Sequence, residues 1–274
     1  MRRAIRRGMI VMAAVAAVGC SSLLPTAAPT LRPSLQLYTT DIAQAIVRRL
    51  TLSYNQTTER VSFEIYTSNH AALLRRLLNR EIDHFITIEL PILVDLPIWA
   101  MPIAQVGIVI AVPMANPLTN VSLADIRSLY LGSISRWEEV GGSDEPVALI
   151  SREAGSDIRA EFERLVMGKR RTSPNALLVT SSSAALATLR QIPGAIAYLP
   201  LTEAAPGVKL LFVEGVPPTL EMIEANRYPL RSTVYLIGLE EPTGMLRQFV
   251  EWAQSPIGQA SLDGLAAPIL DLSN

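Results

Sequence analysis

The sequence predicts an α/β fold built from two lobes. From residue 35 onward, short β-rich runs alternate with amphipathic helical stretches, a pattern typical of sheets that are covered by helices. Residues 105–112 form a nearly unbroken apolar run, as expected of a strand that is buried on both faces of a sheet. A second long strand is predicted over 232–238. Together the two strands could carry the chain out of the first lobe and back into it, so that C-terminal residues complete that lobe.

The first lobe is predicted to alternate between strands and helices. Val61, Phe63 and Ile65 occupy every second position of one run, which indicates a strand with one buried face. The predicted elements of this lobe are a strand over 35–38, a helix over 41–54, a strand over 61–65, a helix over 71–78 and a strand over 82–88.

The second half of the chain is predicted to continue in the same style. Ser122 is placed to cap a helix, with Asp125 three residues later as its capping-box partner. The remaining predicted elements are strands over 147–150, 195–198, 209–213 and 234–238 and helices over 156–167, 184–190 and 244–254.

The composition excludes several classes of protein. With 274 residues and 49% hydrophobic side chains, the chain is too apolar to be disordered and long enough for one large or two ordinary domains. A net charge of −1 argues against a nucleic-acid-binding protein. The single cysteine excludes a disulfide scaffold and a cysteine-based zinc cluster. An aromatic content of 5% disfavours a sugar site made of stacked rings.

The N-terminus has the pattern of a secretory signal peptide. Four arginines among the first seven residues precede the apolar run 9–18, which is too short to span a membrane as a mature helix. Small residues then lead to Cys20, an arrangement that resembles a bacterial lipobox. We predict a lipoprotein signal peptide over 1–19, lipidation of Cys20 and a flexible linker over 20–34. The alternative is an uncleaved anchor in which the cysteine is incidental.

Both alternatives place the globular part outside the cytoplasm and tether it to a membrane. Cleavage before Cys20 removes four arginines and no acidic residue, so the net charge of the mature chain is −5. An anion bound by such a chain must be held by local geometry, because the overall charge does not attract it.

The segment 151–159 has the features of an anion pocket. Gly155 stands just before a predicted helix start, where it lets the backbone turn so that the first amide groups of the helix face outward. Those groups have no partner within the helix and lie at the positive end of its dipole. Ser156 adds a hydroxyl group, and Arg152 adds a planar guanidinium suited to an oxyanion.

The same residues also have an ordinary structural interpretation. Ser156 would then be a helix N-cap and Asp157 would complement the helix dipole. Arg152 and Arg159 would pair with surface acids such as Glu153 and Glu163.

Two stretches, 121–142 and 147–168, resemble the phosphate-binding proteins of bacterial phosphate ABC transporters. The first contains a G-x-I-x-x-W-x-x-V-G-G pattern and the second an S-R-x-x-G-S-x-x-R turn. A P-G-A-I-A-Y segment at 193–198 continues the resemblance, which covers most of residues 105–265 in collinear order. The first lobe resembles the family only in its strand–helix pattern and one aspartate.

The resemblance implies a two-lobe, type II periplasmic-binding-protein-like fold. Each lobe would be a mixed sheet flanked by helices, and two hinge crossings would join the lobes, which close on a ligand. Lobe 1 is predicted over 35–112 with 231–274 and lobe 2 over 113–230. The ligand would lie between helix N-termini of both lobes.

The resemblance also implies ligand-binding residues in the second lobe. Arg152, Gly155 and Ser156 match the family's turn, whereas Asp157 and Ile158 stand where the family usually has Gly and Thr. The backbone amides survive that change, but a hydroxyl group is lost and a carboxylate is added near the anion. Repulsion is avoided if Asp157 points away along the side of the helix.

In the first lobe, three side chains are predicted to contribute. Thr40 follows the opening strand and would supply a hydroxyl group, while Asp41 would cap the next helix. Ser68 follows the second strand in the place of a family turn. Asp83 matches a family aspartate and would accept a hydrogen bond from a protonated oxyanion while repelling sulfate; alternatively, it is a strand-end residue bonded to backbone. Residues 87–89 replace the family's Ser-Ser-Arg.

An enzyme is the main competing class, and the residues disfavour it. His70 and His84 are the only histidines, and neither lies in a metal-ligand spacing. Ser156 has no G-x-S-x-G elbow and no later histidine to act as its base. We therefore expect no catalytic residue, no metal and no cofactor.

The predicted function is that of a lipid-anchored extracytoplasmic solute-binding protein. It would capture an oxyanion, above all inorganic phosphate, between its lobes and deliver it to the permease subunits of an ABC transporter. We expect a monomer that binds no nucleic acid and is attached to the membrane through its lipid. The alternative is a divergent lipoprotein of this fold that binds another ligand or acts as a sensor or interaction module.

Overall fold

The computed structural model describes residues 33–58, 61–91 and 97–269. The predicted signal peptide, the lipidation site at Cys20 and most of the linker lie outside the described residues. None of the helices in these ranges combines the length and the apolar character that a membrane crossing requires.

The first part of the chain alternates strands and helices, as predicted. Its elements are β1 (Ser34–Thr39), α1 (Gln44–Thr57), β2 (Ser62–Thr67), α2 (His70–Leu78), β3 (His84–Thr87) and β4 (Trp99–Pro113).

The rest of the chain contains more short elements than the sequence pattern predicts. In order they are β5 (Asn120–Val121), α3 (Leu123–Leu131), a 3-10 turn (Trp137–Val140), β6 (Ala148–Arg152), α4 (Asp157–Phe162), a π-helical turn (Glu163–Met167), β7 (Leu177–Val179), α5 (Ser182–Gln191), β8 (Ala195–Pro200), a 3-10 turn (Leu201–Glu203), β9 (Val208–Val213), α6 (Leu220–Glu224), β10 (Arg231–Gly238), α7 (Gly244–Gln254) and α8 (Pro256–Ala260).

The strands follow the order β2-β1-β3-β10-β4-β8-β6-β7. Strand β1 is parallel to β2 and β3, and β10 is antiparallel to both β3 and β4. The first part of β4 pairs with β10 and its second part with β8 and β9. Strand β4 therefore runs from one part of the sheet into the other. Its apolar run explains this, because residues 103–112 are all buried, and Gly107 among them lies against Ile223 and Tyr228.

We call residues 33–112 with 231–269 lobe 1, and residues 113–230 lobe 2. These boundaries follow the sequence prediction and remain a prediction. An aromatic group of Tyr54, Phe63, Phe249 and Trp252 packs α1 and α7 against the sheet of lobe 1. Tyr130, Phe162 and Tyr198 form the corresponding group in lobe 2, where Phe162 and Tyr198 stack with ring centroids 4.1 Å apart.

Two predicted features of the elements are corrected by the structure. Helix α1 begins at Gln44 with Ala43 as its N-cap, so the predicted capping role of Asp41 is wrong; the Asp41 carboxylate pairs with Arg152 instead. The predicted helix over 156–167 divides into α4 and the π-helical turn. In contrast, the predicted N-cap at Ser122 is present, with the Asp125 amide donating to Ser122 Oγ over 3.0 Å and the Ser122 hydroxyl donating to Asp125 Oδ2 over 2.7 Å.

Candidate functional site

The candidate site lies where strand ends of both lobes meet. Because β1, β2 and β3 are parallel, their carboxyl ends share one edge of the lobe 1 sheet. The carboxyl end of β6 in lobe 2 faces that edge, followed by the turn into α4. The site is therefore built from residues 39–41 and 67–71, from 87–89, and from 151–158.

The carboxylate of Asp157 occupies the centre of this site. Asp157 is the first residue of α4 and is 2% exposed. Its Oδ2 accepts hydrogen bonds from Thr40 Oγ1 at 2.5 Å, Thr87 Oγ1 at 3.2 Å and the Ile88 amide at 3.3 Å. Its Oδ1 accepts from the Ile158 amide at 2.9 Å. Burial raises the pKa of Asp157, and these four hydrogen bonds oppose that shift.

Arg152, at the end of β6, is the cation of the site. Its side chain is buried, and its guanidinium lies 3.0 Å from Asp41 Oδ2 across the lobes. Within lobe 2 it donates to the Thr180 carbonyl at 3.1 Å and to Ser182 Oγ at 3.4 Å. Ser182 Oγ in turn donates to Asp41 at 3.3 Å. The charge of Arg152 is thus already balanced by Asp41 of lobe 1 and by Glu153, whose Oε2 lies 3.5 Å from its Nε.

The core of lobe 2 fixes the position of β6 and α4. Tyr198 Oη accepts a hydrogen bond from the Arg152 amide at 3.1 Å and lies 2.8 Å from Ser151 Oγ. The Tyr198 ring stacks on Phe162, the last residue of α4. The stacked pair of Phe162 and Tyr198 therefore fixes the position of α4 relative to the end of β6.

Gly155 lets the turn before α4 approach lobe 1 closely. Its φ is +82°, a conformation that side chains rarely adopt. Its carbonyl accepts a hydrogen bond from the Ala71 amide at 3.0 Å, and an added Cβ would lie 2.6 Å from the Ala71 Cβ. Beside this contact, Asn69 Nδ2 donates to Glu153 Oε1 at 2.9 Å. The start of α2 thus packs directly on the turn.

A chain of neutral groups leads from the site to Glu89. Thr87 donates to Asp157, so its oxygen is free to accept from His70 Nδ1 at 2.9 Å. His70 Nε2 then carries no proton and faces Glu89 Oε2 at 3.5 Å. Burial lowers the pKa of His70 to about 4, and burial together with the nearby charges of Asp157 and Glu161 raises the pKa of Glu89 to about 7. Both shifts favour neutral forms, so this contact is not an ion pair at mildly acidic pH.

The substitution Glu89→Gln is expected to flatten the pH dependence of stability. The folded protein holds a proton on Glu89 between pH 4.5 and about 7, where the unfolded chain has released it. Stability from this group is therefore complete below pH 4.5 and is lost as the pH rises through about 7. Denaturant unfolding at several pH values in this range measures how steeply the free energy of unfolding falls with pH. The exposed variant Glu81→Gln is the control, and a slope in Glu89→Gln equal to that of the parent contradicts the assignment.

The structure brings most of the predicted site residues together. Those at the site are Thr40, Arg152, Gly155, Ser156, Asp157 and Ile158. Ser156 is 4% exposed and precedes α4 without a side-chain capping bond. The prediction that the Asp157 carboxylate points away along the side of the helix, which would leave room for an anion, is wrong. The carboxylate points into lobe 1.

Two predicted residues are not brought to the centre. Ser68 lies at the same sheet edge, but it is exposed, and its neighbour Asn69 makes the contact to lobe 2. Asp83 is exposed before the first residue of β3, at the opposite end of that strand from Thr87. Its place in the sequence matches the family pattern, but the strand direction carries it away from the site.

Sequence reasoning missed four residues of the site: Asp41 as an ion-pair partner, Asn69, Thr87 and Ser182. Position is the signal for Thr87, because a threonine at the carboxyl end of a parallel strand next to the opening strand lies at the binding edge. Within the described ranges, no group of three or more His, Cys, Asp or Glu side chains is arranged to hold a metal ion.

Comparison with known proteins gives consistent matches. The family model of the PBP superfamily domain matches residues 25–256. The chain is 25% identical over 173 residues to the phosphate-binding protein PstS of Bacillus subtilis, a match that covers 62% of this chain and 57% of that protein. The chain therefore spans little more than half the length of that relative.

Solved structures show the same fold. A candidate phosphate ABC transporter substrate-binding protein with bound phosphate from Clostridium perfringens has a TM-score of 0.78 at 21% identity, covering 86% of this chain and 100% of that one. An ABC-type phosphate transport receptor from Vibrio cholerae has a TM-score of 0.70 at 22% identity, covering 83% and 96%. The predicted fold class is confirmed: a mixed α/β chain whose curled sheet is flanked by helices, as in periplasmic binding proteins.

Proposed function

The chain belongs to the PBP superfamily, and we propose that it is an extracytoplasmic solute-binding protein that takes phosphate between its two lobes. One observation carries this proposal. Two hydroxyl groups and two backbone amides, drawn from both lobes, converge on one anionic group at the site. Hydroxyl and amide donors of this kind also bind the oxygen atoms of oxyanions.

The proposed ligand is supported by the relatives and by the chemistry. The matched proteins are named for phosphate binding and transport. Charge-assisted hydrogen bonds each contribute about 1.5–3 kcal/mol. Three or four of them, after the costs of association, correspond to roughly micromolar affinity. A net-negative chain gains no long-range attraction for phosphate, so this local set of donors supplies the affinity.

The proposal extends to the partners and the location of the protein. Bound phosphate would pass to the permease subunits of an ABC transporter, and the chain itself would act without catalysis, as a monomer. A lipid on Cys20 would hold it on the outer face of the cell membrane. Genes for two permeases and an ATPase beside the gene for this chain would support the transport role.

Calorimetric titration of the full chain with phosphate, sulfate and arsenate tests the ligand. We expect heat from phosphate and arsenate, which keep a proton or can accept one near neutral pH, and a thermal midpoint that rises with phosphate concentration. The absence of heat and of any rise in the midpoint for all three anions at millimolar concentration would overturn the proposal.

A second candidate function is favoured by the internal pairs of the site. The Asp157 carboxylate and the Arg152–Asp41 pair satisfy the principal donors of the site without any solute. A sensor or interaction module of this fold, which presents a surface rather than carrying a solute, would have such a site. This candidate would be favoured if the lobes stay closed, with no change on addition of any oxyanion, and if no permease or ATPase genes lie beside the gene for this chain.

A further inference from the structure

We infer that Asp157 is an internal ligand: its carboxylate fills the anion position between the lobes and holds them together until an external anion displaces it. The identity of the external anion rests on the proposed function. The internal contact rests on the geometry alone.

The hydrogen bonds of Asp157 distinguish it from an ordinary acid at a helix start. The carboxylate of Asp125, in the first turn of α3, accepts a hydrogen bond from the hydroxyl of Ser122, which caps the same helix. Such an acid complements the helix dipole and stays with its own helix. In contrast, three of the four hydrogen bonds to Asp157 come from lobe 1. The Asp157 side chain is therefore a cross-link between the lobes.

The environment of Asp157 is that of a bound anion. The carboxylate is buried, and all four of its donors are uncharged groups, two hydroxyls and two amides. Its charge also contributes to the raised pKa of Glu89, an acid rather than a cation. A buried charge without a cation needs donors that are already in place. The site supplies those donors, and they would serve an external oxyanion equally well.

Removing the carboxylate would leave the donors without an acceptor. Thr40 is 1% exposed and Thr87 is 0% exposed, so in a closed state both hydroxyl groups would be buried opposite an empty space. Opening of the lobes or binding of an external anion would satisfy them. Other contacts between the lobes include the Arg152–Asp41 pair, the hydrogen bond from Ser232 Oγ to Glu161 and the contacts of Asn69 and Ala71 with the turn.

The substitution Asp157→Gly tests the inference without any ligand. Small-angle X-ray scattering of the phosphate-free full chain should give a larger radius of gyration for Asp157→Gly than for the parent. Addition of phosphate should restore the parent value, with an affinity at least about tenfold higher than that of the parent, equivalent to about 1.4 kcal/mol. Asp125→Gly is the matched control, because it removes an acid and adds a glycine in the first turn of another helix of the same lobe; its radius should not change.

The outcomes separate this inference from the proposed function. An equal radius for Asp157→Gly and the parent, both free of phosphate, overturns the inference. A variant that opens but does not bind phosphate supports the inference and overturns phosphate as the ligand. If the glycine variant does not fold, Asp157→Asn replaces it, since it keeps the side-chain volume but loses the charge that three lobe 1 donors share. A parent-like radius in that variant overturns the inference as well.

Discussion

Replacement of Arg152 by alanine is expected to weaken phosphate binding at least about tenfold and to lower the stability of the protein by roughly 2–4 kcal/mol. Arg152 is 3% exposed, and its guanidinium pairs with the Asp41 carboxylate at 3.0 Å. Without it, Asp41 faces Glu203, whose pKa burial and the Asp41 charge already raise. The two acids would then repel each other and any incoming anion. Titration calorimetry and denaturant unfolding measure the two effects.

Arg136→Ala is the matched control for this substitution. Arg136 also lies in lobe 2 and also pairs with acids, Glu138 and Asp144, but on the exposed surface. Exposed pairs contribute about 0–1 kcal/mol, so the free energy of unfolding and the phosphate affinity of this variant should be close to those of the parent.

Arg152→Lys should recover stability better than affinity, because lysine restores the charge but not the planar guanidinium with its paired N–H donors. Unchanged phosphate affinity in Arg152→Ala would mean that the anion binds elsewhere.

The second large effect is expected from Gly155→Ala, which should force the lobes apart. The new methyl group would lie 2.6 Å from the Ala71 Cβ and 2.9 Å from Asn69 Oδ1. Such a distance requires the backbone of one lobe to move, which breaks the hydrogen bond from the Ala71 amide to the Gly155 carbonyl. The thermal midpoint should fall, and the radius of gyration from X-ray scattering should increase.

Gly141→Ala separates the steric effect from the backbone effect. Gly141 has a φ of +83°, nearly equal to that of Gly155, but nothing lies within 4 Å of an added Cβ. Both substitutions therefore carry the strain of a side chain at positive φ, about 1–2 kcal/mol. Only Gly155→Ala adds the clash with lobe 1. Equal thermal midpoints for the two variants would show that the contact of Gly155 with Ala71 and Asn69 does not contribute to the packing of the lobes.

The sequence predicted the elements that depend on local pattern. The helix predicted over 244–254 is α7 to the residue, because apolar periodicity and its flanks are set within the segment. The apolar run 105–112 lies within β4, as expected of a strand buried on both faces. Strand β4 begins earlier, at Trp99, since its first residues pair with β10, a partner more than 130 positions away that no local pattern reveals.

The site was predicted less completely than the fold, for a physical reason. Local sequence placed Arg152 and Ser156 beside a helix start, and the structure brings both to the site. The direction of the Asp157 side chain depends on Thr40 and Thr87, donors 117 and 70 residues distant in the chain. The packing of the two lobes determines which carboxylate accepts the hydrogen bonds of these two hydroxyl groups. An aspartate at a helix start can stabilise its own helix, as Asp125 does, or bind donors of another lobe, as Asp157 does. The sequence alone does not distinguish these two roles.

The covalent attachment of the Asp157 carboxylate has a consequence for the response of the protein to its surroundings. A competitor tethered to the site has a fixed effective concentration, which dilution and transport do not change. A free anion must exceed a constant threshold before it occupies the pocket, and traces of it leave the molecule unaffected. The length and acidity of one side chain would then set the anion concentration at which the protein responds, while every group that touches the solute stays the same.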